Sequence, residues 1–217
     1  MTQDLTLDEI RAVLAPGIAA NAAFDGWSDA ARDMAAQAEG IDTDVAALAF
    51  KDGPVDMIDA WFAHIDGVML AAVPPERLVL MKIREKITVL VEARLDATSA
   101  DRESLRRALA ILALPQNLAK ATRLGWRTVD TIWRAAGDLA TDYNYYTKRT
   151  ILLGVYASTI TIFLDDESEG LAETRAFLGR RINGIMQFEK AKAGFLKRTE
   201  HGFSLSRFVG RLRYPTA

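Results

Sequence analysis

Residues 137–167 read GDLATDYNYYTKRTILLGVYASTITIFLDDE, and this stretch decides the fold. It holds four tyrosines within 14 residues, a Lys148-Arg149 pair, and then a run of 15 residues from Thr150 to Leu164 without a charged side chain. A helix needs ~20 apolar residues to cross a bilayer, so a buried central helix is favoured. Such a helix is either the core of a bundle or also the wall of a pocket, and composition leaves both possibilities open.

One face of this predicted helix has the residue types of a binding site. Tyr146 and Arg149 lie three residues apart and share a face, which Leu153 and Tyr156 continue. In a helical bundle, ligand sites form between facing helices and combine apolar walls with a few polar groups. Small residues beside this face either leave room for a ligand or allow another helix to pack closely: Gly154, Ala157 and Ser158.

The composition of the whole chain predicts an all-α protein. The 217 residues are half apolar, rich in alanine and leucine, and without a Pro/Gly/Ser-rich linker. Because there is no cysteine, disulfides and thiolate metal sites are excluded. No charged-then-apolar leader and no transmembrane span is recognisable, which predicts a cytoplasmic protein.

Cap and turn signals on both sides of the central stretch predict about ten helices. Thr6 begins a capping box that starts the first helix, and Pro16 is expected to break this helix. Pro74-Pro75 should begin a helix that reaches about residue 95, with Leu80, Ile83, Ile87, Leu90 and Val91 as its core stripe. Beyond Pro115 we expect two separate helices, at residues 116–124 and 128–139, then the central helix at 145–164 and a last one at 171–193.

The first fifty residues have the layout of a helix-turn-helix and resemble the amino-terminal domain of TetR-type regulators. The predicted recognition helix, Thr43–Phe50, contains no arginine, lysine, asparagine or glutamine. Residues 1–60 contain 12 acidic and 3 basic side chains, a balance that repels DNA phosphates. We therefore expect a TetR-like shape that has lost DNA binding.

Chemistry-bearing residues are few. The two histidines lie far apart, at His64 and His201, and no Glu-x-x-His pair, Gly-rich phosphate loop or nucleophile elbow is present. The acidic run Asp165-Asp166-Glu167 lacks the spacing of cation ligands, which favours a solvated helix end. The sequence predicts no catalytic residue, no metal and no cofactor.

The carboxy-terminal segment is basic and amphipathic. Residues 180–217 contain 9 basic and 2 acidic side chains, and residues 194–202 suggest a hinge. Beyond the hinge, apolar side chains recur at helical spacing with arginines on their flanks, a pattern typical of an interfacial helix at anionic headgroups. Docking of this helix on its own domain or on a dimer mate stays open. The predicted membrane contacts are Phe203, Leu205, Arg207, Phe208, Val209, Arg211 and Leu212.

From Pro115 onward the chain resembles the ubiquinone-biosynthesis lipid-binding protein family. The resemblance rests on LPQN (114–117), WRAAGDLATDYNYYTKR (133–149) and TRAFLGRRINGIM (174–186), and it weakens in the amino-terminal third. It implies a TetR-like fold that neither binds DNA nor catalyses a reaction. It also implies a homodimer that contacts the membrane, binds isoprenoid lipids and assists the di-iron hydroxylase that oxidises demethoxyubiquinone.

The resemblance assigns two groups of candidate residues. The expected partner surface is Asp142, Asn144, Tyr145, Lys148 and Arg149, although Tyr145 stands where relatives often have tryptophan. Alternatively, Arg149 pairs with Asp142 or Asp138 and only fixes the start of the helix. The expected lipid-binding side chains are Trp133, Tyr146, Leu152, Leu153, Tyr156 and Ile160.

Together these features predict three segments and one function. Residues 1–53 should form the helix-turn-helix-like segment, 54–193 the lipid-binding and dimerisation bundle, and 194–217 the hinge and membrane-contact helix. The protein would bind an isoprenoid quinone precursor at the inner face of the membrane and present it to the hydroxylase. The alternative is a TetR-type transcriptional regulator that binds DNA and a small apolar effector.

Overall fold

A computed structural model describes residues 5–138 and 143–185, and every regular element in these two ranges is helical. The α-helices are α1 (Leu7–Asp25), α2 (Asp29–Ala38), α3 (Thr43–Ala49), α4 (Pro54–Ala72), α5 (Pro75–Leu78), α6 (Ile83–Asp96), α7 (Arg102–Leu112), α8 (Leu118–Ala135), α9 (Tyr143–Asp165) and α10 (172–185). Short 3-10 turns precede α7, α8 and α10 at Ser99–Asp101, Pro115–Asn117 and Glu169–Leu171. The all-α prediction with about ten helices is confirmed.

Side-chain caps explain where the first helices begin. Thr6 Oγ1 accepts the Glu9 N–H at 3.3 Å, and Glu9 Oε2 accepts the Thr6 N–H at 2.8 Å, so the predicted capping box is present. Ser28 caps α2 by accepting the Ala31 N–H at 3.3 Å. Asp42 caps α3, accepting N–H groups from the first turn of that helix.

Pro16 does not break α1, and that prediction is wrong. The helix continues for 19 residues with Pro16 inside it. A proline removes one backbone hydrogen bond and crowds the preceding turn, but Leu14, Ala15, Ile18 and Ala19 around it are completely buried. Packing on both sides of the proline therefore outweighs the local penalty, which propensity alone cannot show.

The two helices predicted after Pro115 are one helix, α8, which passes through Gly125 without interruption. Gly125 is needed for a close approach to α9, since a Cβ at this position would lie 2.9 Å from Leu153 Cδ1. Gly154, expected either to leave room or to allow close packing, faces open space. The helix ends at Ala135, ahead of the predicted end at residue 139, because Gly137 adopts a positive φ of 89°.

The long helix predicted after Pro74-Pro75 is divided into α5 and α6 by the turn at residues 79–82. The predicted core stripe is correct for Ile87, Leu90 and Val91, which are buried. It is wrong for Leu80, which is 96% exposed, and for Ile83, which is 42% exposed. A helical periodicity that crosses an unrecognised turn assigns the residues before it to the wrong face.

One apolar core joins the amino-terminal segment to the rest of the described chain. Helix α1 packs against α2, α3, α4 and α7. Trp27 Nε1 donates a hydrogen bond to the Ser104 carbonyl at 2.9 Å, and Ser104 Oγ donates to the Ala19 carbonyl at 2.6 Å. The predicted boundary at residue 53 falls in the turn before α4, but the core is continuous across it.

Helix α9 lies against α6, α7 and α8, so the stretch around which the sequence is organised is central to the described fold. Its end is not simply a solvated acidic run, because Asp166 is buried. Asp166 Oδ2 accepts the Thr174 N–H at 2.8 Å and its Oγ1–H at 2.6 Å, while Oδ1 accepts the Ser168 N–H at 2.9 Å. Burial would raise the pKa of Asp166, but these hydrogen bonds lower it well below its ordinary value. This carboxylate fixes the turn that leads into α10.

Candidate functional site

An apolar groove of about 400 Å³ lies between α6, α8, α9 and α10. A volume of this size is within the range of roughly 300–1,000 Å³ that small-molecule sites occupy. Branched aliphatic side chains from three of the helices form most of its wall. They are Ile83, Ile87, Ile151, Leu152, Val155, Ile182 and Ile185.

Polar groups gather at the α8–α9 side of this groove. Trp133, Asp138, Thr147 and Lys148 line it there, and Arg84 lines it from α6. The Trp133 indole N–H donates to the Lys148 carbonyl at 3.2 Å, and the Lys148 ammonium lies 5.5 Å from the centre of the Trp133 ring. The groove therefore combines an aliphatic wall with an amphipathic rim, which suits a ligand that has an apolar chain and a polar head.

Arg149 holds the start of α9 against the end of α8. Its guanidinium is only 1% exposed; Nε donates to Asp130 Oδ1 at 2.7 Å and Nη1 to Asp138 Oδ2 at 3.1 Å. Asp138 also accepts from Lys148 Nζ at 2.7 Å, and Asp130 accepts from Arg134 Nε at 2.7 Å. We call these five side chains the Arg149 cluster. Because Asp138 and Lys148 line the groove, the cluster fixes the position of its polar rim.

The two carboxylates of the Arg149 cluster are stabilised in their ionised form. Burial would raise the pKa of Asp138, but hydrogen bonds from Lys148 and Arg149 outweigh it and lower that pKa below its ordinary value. Burial acts in the same way on Asp130, where hydrogen bonds from Arg149, Tyr145 and Arg134 lower the pKa. Both groups are therefore negative at neutral pH.

Three aromatic rings form a surface patch beside the same helix ends. Tyr145 and Tyr146 pack edge to face at 5.1 Å between ring centroids, and Trp126 lies 6.2 and 6.0 Å from them. Tyr146 is 61% exposed, whereas the Tyr145 hydroxyl donates to Asp130 Oδ1 at 3.1 Å. This aromatic patch has the composition of a protein-binding surface.

Tyr156 lies in the core rather than in the groove. Its hydroxyl accepts a hydrogen bond from Arg94 Nη1, in a buried cluster where Arg94 Nε also donates to Asp66 Oδ1 at 2.9 Å and Nη2 to Thr128 Oγ1 at 3.2 Å. We call these four side chains the Arg94 cluster. Burial, the largest influence, raises the pKa of Tyr156, so its phenol stays neutral.

The predicted lipid-binding residues thus separate into two sets. Trp133 and Leu152 line the groove. Tyr146 lies in the aromatic patch, Leu153 packs on Gly125, and Tyr156 and Ile160 are buried away from the groove lining. The groove also uses residues that the sequence reasoning missed, on α6 and α10: Ile83, Ile87, Ile182 and Ile185. The spacing of three or four residues within each pair indicates a shared helix face, but only the packing of the helices shows that both pairs face α9.

The predicted partner-binding residues are also placed differently. Lys148 lies at the groove rim and Tyr145 in the aromatic patch, while Arg149 is buried and pairs with Asp138 as the structural alternative predicted. Asp142 and the predicted membrane contacts at 203–212 lie outside the described residues, as does the Asn144 side chain. Within residues 5–138 and 143–185, no cluster of three or more potential metal-binding side chains occurs. No helix in that same part combines the length and apolarity that a membrane span requires.

The fold and the groove together define a class: the described residues have the helical fold of TetR-type regulators, with an apolar groove between their later helices. A solved structure of a TetR transcriptional regulator from Nitrosomonas europaea superposes with a TM-score of 0.64 and 25% identity, covering 80% of this chain and 96% of the regulator. The TetR-like fold predicted from the sequence is confirmed.

Within that class, residues 118–189 match the COQ9 family. The chain is 32% identical over 167 residues to the mitochondrial ubiquinone biosynthesis protein COQ9 of Rattus norvegicus. This match covers 74% of this chain and 54% of the rat protein. The human COQ9 protein is 32% identical over 168 residues, with coverage of 74% and 52%. The resemblance predicted from the sequence motifs is therefore confirmed, and the chain spans about half the length of these relatives.

Proposed function

We propose that this protein is a lipid-binding accessory protein of ubiquinone biosynthesis. It binds the isoprenoid part of a quinone precursor in the groove and presents the head to the di-iron demethoxyubiquinone hydroxylase. The observation that carries this proposal is the aliphatic groove itself, whose α8 and α9 walls and α10 side fall within the segment that matches the COQ9 family.

The chemistry of the groove favours an isoprenoid over a polar metabolite. Most of the groove wall is aliphatic. Each methylene of a ligand that moves from water into the groove contributes about 0.8 kcal/mol to the free energy of binding. Lys148 and Arg84 at the rim are suited to the oxygens of a quinone or phenol head, because both donate hydrogen bonds. A long polyprenyl tail would extend beyond a site of about 400 Å³, which leaves the molecule partly accessible for transfer.

The aromatic patch is the proposed contact for the hydroxylase. It adjoins the groove through Tyr145, whose backbone carbonyl accepts from Arg149 Nη1 at 3.2 Å and whose ring lies 3.5 Å below that guanidinium. Exposed tyrosine and tryptophan rings are frequent interface anchors. Arg149, being buried, supports this surface from beneath and does not itself contact the partner. The chain supplies no catalytic residue in this scheme; a homodimer and a peripheral membrane location are parts of the same proposal.

Native mass spectrometry of gently purified protein tests the lipid role. We expect a bound species with the mass of an isoprenoid lipid, and we expect Ile151→Trp to remove it, because Ile151 lines the groove and a larger side chain would fill it. Ile162→Trp is the matched control, since Ile162 is a half-buried isoleucine of the same helix outside the groove. A lipid that stays bound to the Ile151→Trp protein, or native protein that never carries one, would contradict the proposal.

DNA binding is the alternative, favoured by the TetR regulator structure. The exposed side chains of α3 are Asp44, Val45 and Leu48, which offer no cation to phosphates and no amide to base edges. We therefore expect no shift of duplex DNA in a gel at low salt. A specific, saturable shift would replace the lipid-accessory proposal by a regulator.

A further inference from the structure

The turn between α5 and α6 carries an exposed apolar tip that no fold requirement explains. Val79 is 70% exposed and Leu80 is 96% exposed. Single exposed hydrophobic residues are common, but two adjacent and largely exposed branched side chains form an apolar projection that a partner or a membrane can cover.

The tip is held in place rather than loosely attached. Leu78 before it and Ile87 after it are buried, and the Met81 N–H donates to the Leu78 carbonyl at 3.0 Å. At the other side of the turn, Glu85 Oε2 accepts the Lys82 N–H at 3.0 Å and begins α6. These contacts hold the turn in a conformation that displays Val79 and Leu80.

Basic side chains flank the tip on both sides. Residues 76–86 read ERLVLMKIREK and contain four basic and two acidic residues. Glu85 pairs with Arg84 at 3.8 Å, and Lys86 donates to the Ala136 carbonyl at 3.3 Å. The exposed charges nearest to the tip are therefore two basic and one acidic: Arg77, Lys82 and Glu76. Exposed Arg77 and Lys82 flank Leu80 on either side. Apolar side chains that project between cations match the interface of a bilayer that contains anionic lipids.

The tip lies next to the groove. Ile83, three residues after Leu80, is 42% exposed and also lines the groove. Arg84 and Ile87 continue the lining along α6. The groove therefore opens next to the turn that carries the tip. This region is separate in sequence from the basic tail at residues 203–212.

We propose that Val79 and Leu80 insert into the headgroup region of an anionic bilayer and place the groove mouth at the membrane surface. The side of the groove at Ile83 is then the route by which a lipid chain passes from the bilayer into the groove. The membrane contact stands on the tip and its charges alone, whereas the entry route rests on the lipid role proposed above.

The absence of native cysteine gives a direct test in the full-length chain. A polarity-sensitive fluorophore on Leu80→Cys should shift to the blue and brighten with vesicles of equal parts phosphatidylglycerol and phosphatidylcholine. The same label on Leu48→Cys, an exposed leucine on α3, is the matched control and should not respond. The Val79→Asp/Leu80→Asp double variant should bind these vesicles about tenfold more weakly, and Leu48→Asp should bind like the native protein.

Each other outcome overturns the inference. If the label on Leu80→Cys stays unchanged while one on Phe208→Cys responds, the tail alone contacts the membrane. If the Leu80→Cys label responds to protein concentration without vesicles, a second copy of the chain covers the tip.

A soluble short-chain quinone separates this inference from the lipid role. Its binding, followed by quenching of tryptophan fluorescence, should be equal in the native and Val79→Asp/Leu80→Asp proteins. Insertion without quinone binding in either protein would refute the lipid role and leave the membrane contact standing. Quinone binding lost only in the double variant would show that the tip is part of the ligand site, which overturns its assignment as a membrane contact.

Discussion

Two arginines, Arg94 and Arg149, are each only 1% exposed, yet they serve different regions of the molecule. Arg94 lies in the core and joins α4, α6, α8 and α9 through Asp66, Thr128 and Tyr156. Arg149 lies where α8 ends and α9 begins, and its two carboxylate partners have further contacts with Arg134 and Lys148. One cluster has a single cation for a buried carboxylate; the other shares three cations between two carboxylates.

Helix α9 is divided between the core and the groove. Tyr156 on the core side is bound to Arg94, so it is not available to a ligand. Lys148, Ile151 and Leu152 on the other side line the groove next to the Arg149 cluster. The same helix is therefore a core element on one face and a groove wall on the other.

Replacing Arg94 should produce the largest effect. Arg94→Met leaves the Asp66 carboxylate buried without a cation, and breaking a buried pair in this way costs about 3–5 kcal/mol. Urea unfolding monitored by circular dichroism measures the loss. Arg106→Met is the control, because Arg106 forms only exposed pairs with Glu103 and Asp165 and should change stability by less than ~1 kcal/mol. Equal stabilities of the Arg94→Met and native proteins would show that Asp66 is not held by this charge.

Replacing Arg149 should cost less stability but change the groove. In Arg149→Met, Asp138 keeps Lys148 and Asp130 keeps Arg134, so we expect a loss of about 2–3 kcal/mol. Because the cluster positions the rim, quinone binding should weaken in Arg149→Met at a urea concentration where the protein is still folded. A variant that is destabilised but binds quinone normally would separate the Arg149 cluster from the groove.

The sequence predicted the arrangement of helices better than the identity of the groove residues. Caps such as Thr6 and Ser28 act within one turn, so their effect is readable from neighbouring residues. The groove depends on which helices meet: Ile182 reaches it only because the Asp166 turn directs α10 back along α9. Helical spacing places Tyr156 on the same face as Arg149, which the sequence assigns to a binding site. Only the hydrogen bond from Arg94 shows that Tyr156 is buried in the core.

Removing the Tyr156 hydroxyl tests whether that side of α9 is independent of the ligand. Tyr156→Phe leaves one buried N–H of Arg94 without its acceptor and should cost about 1–2 kcal/mol. Quinone binding should be unchanged, in contrast to Ile151→Trp, which should lose binding with little change in stability. Weaker quinone binding by Tyr156→Phe would show that the core and groove faces of α9 are coupled.

The smallest expected effect is the loss of the Asp138 contribution to stability in acid. The pKa of Asp138 is lower in the folded protein than its ordinary value of 3.8, so its contribution to stability is complete above that value and is lost as the pH falls through the folded pKa. The gap in unfolding free energy between native protein and Asp138→Asn should therefore be constant above about pH 5 and close as the pH falls below 3.8. Using the difference between two proteins cancels the contributions of other carboxylates such as Asp166. A gap that stays constant down to the acid transition would mean that Lys148 and Arg149 do not stabilise the charged form of Asp138, and the polar rim would then need another support.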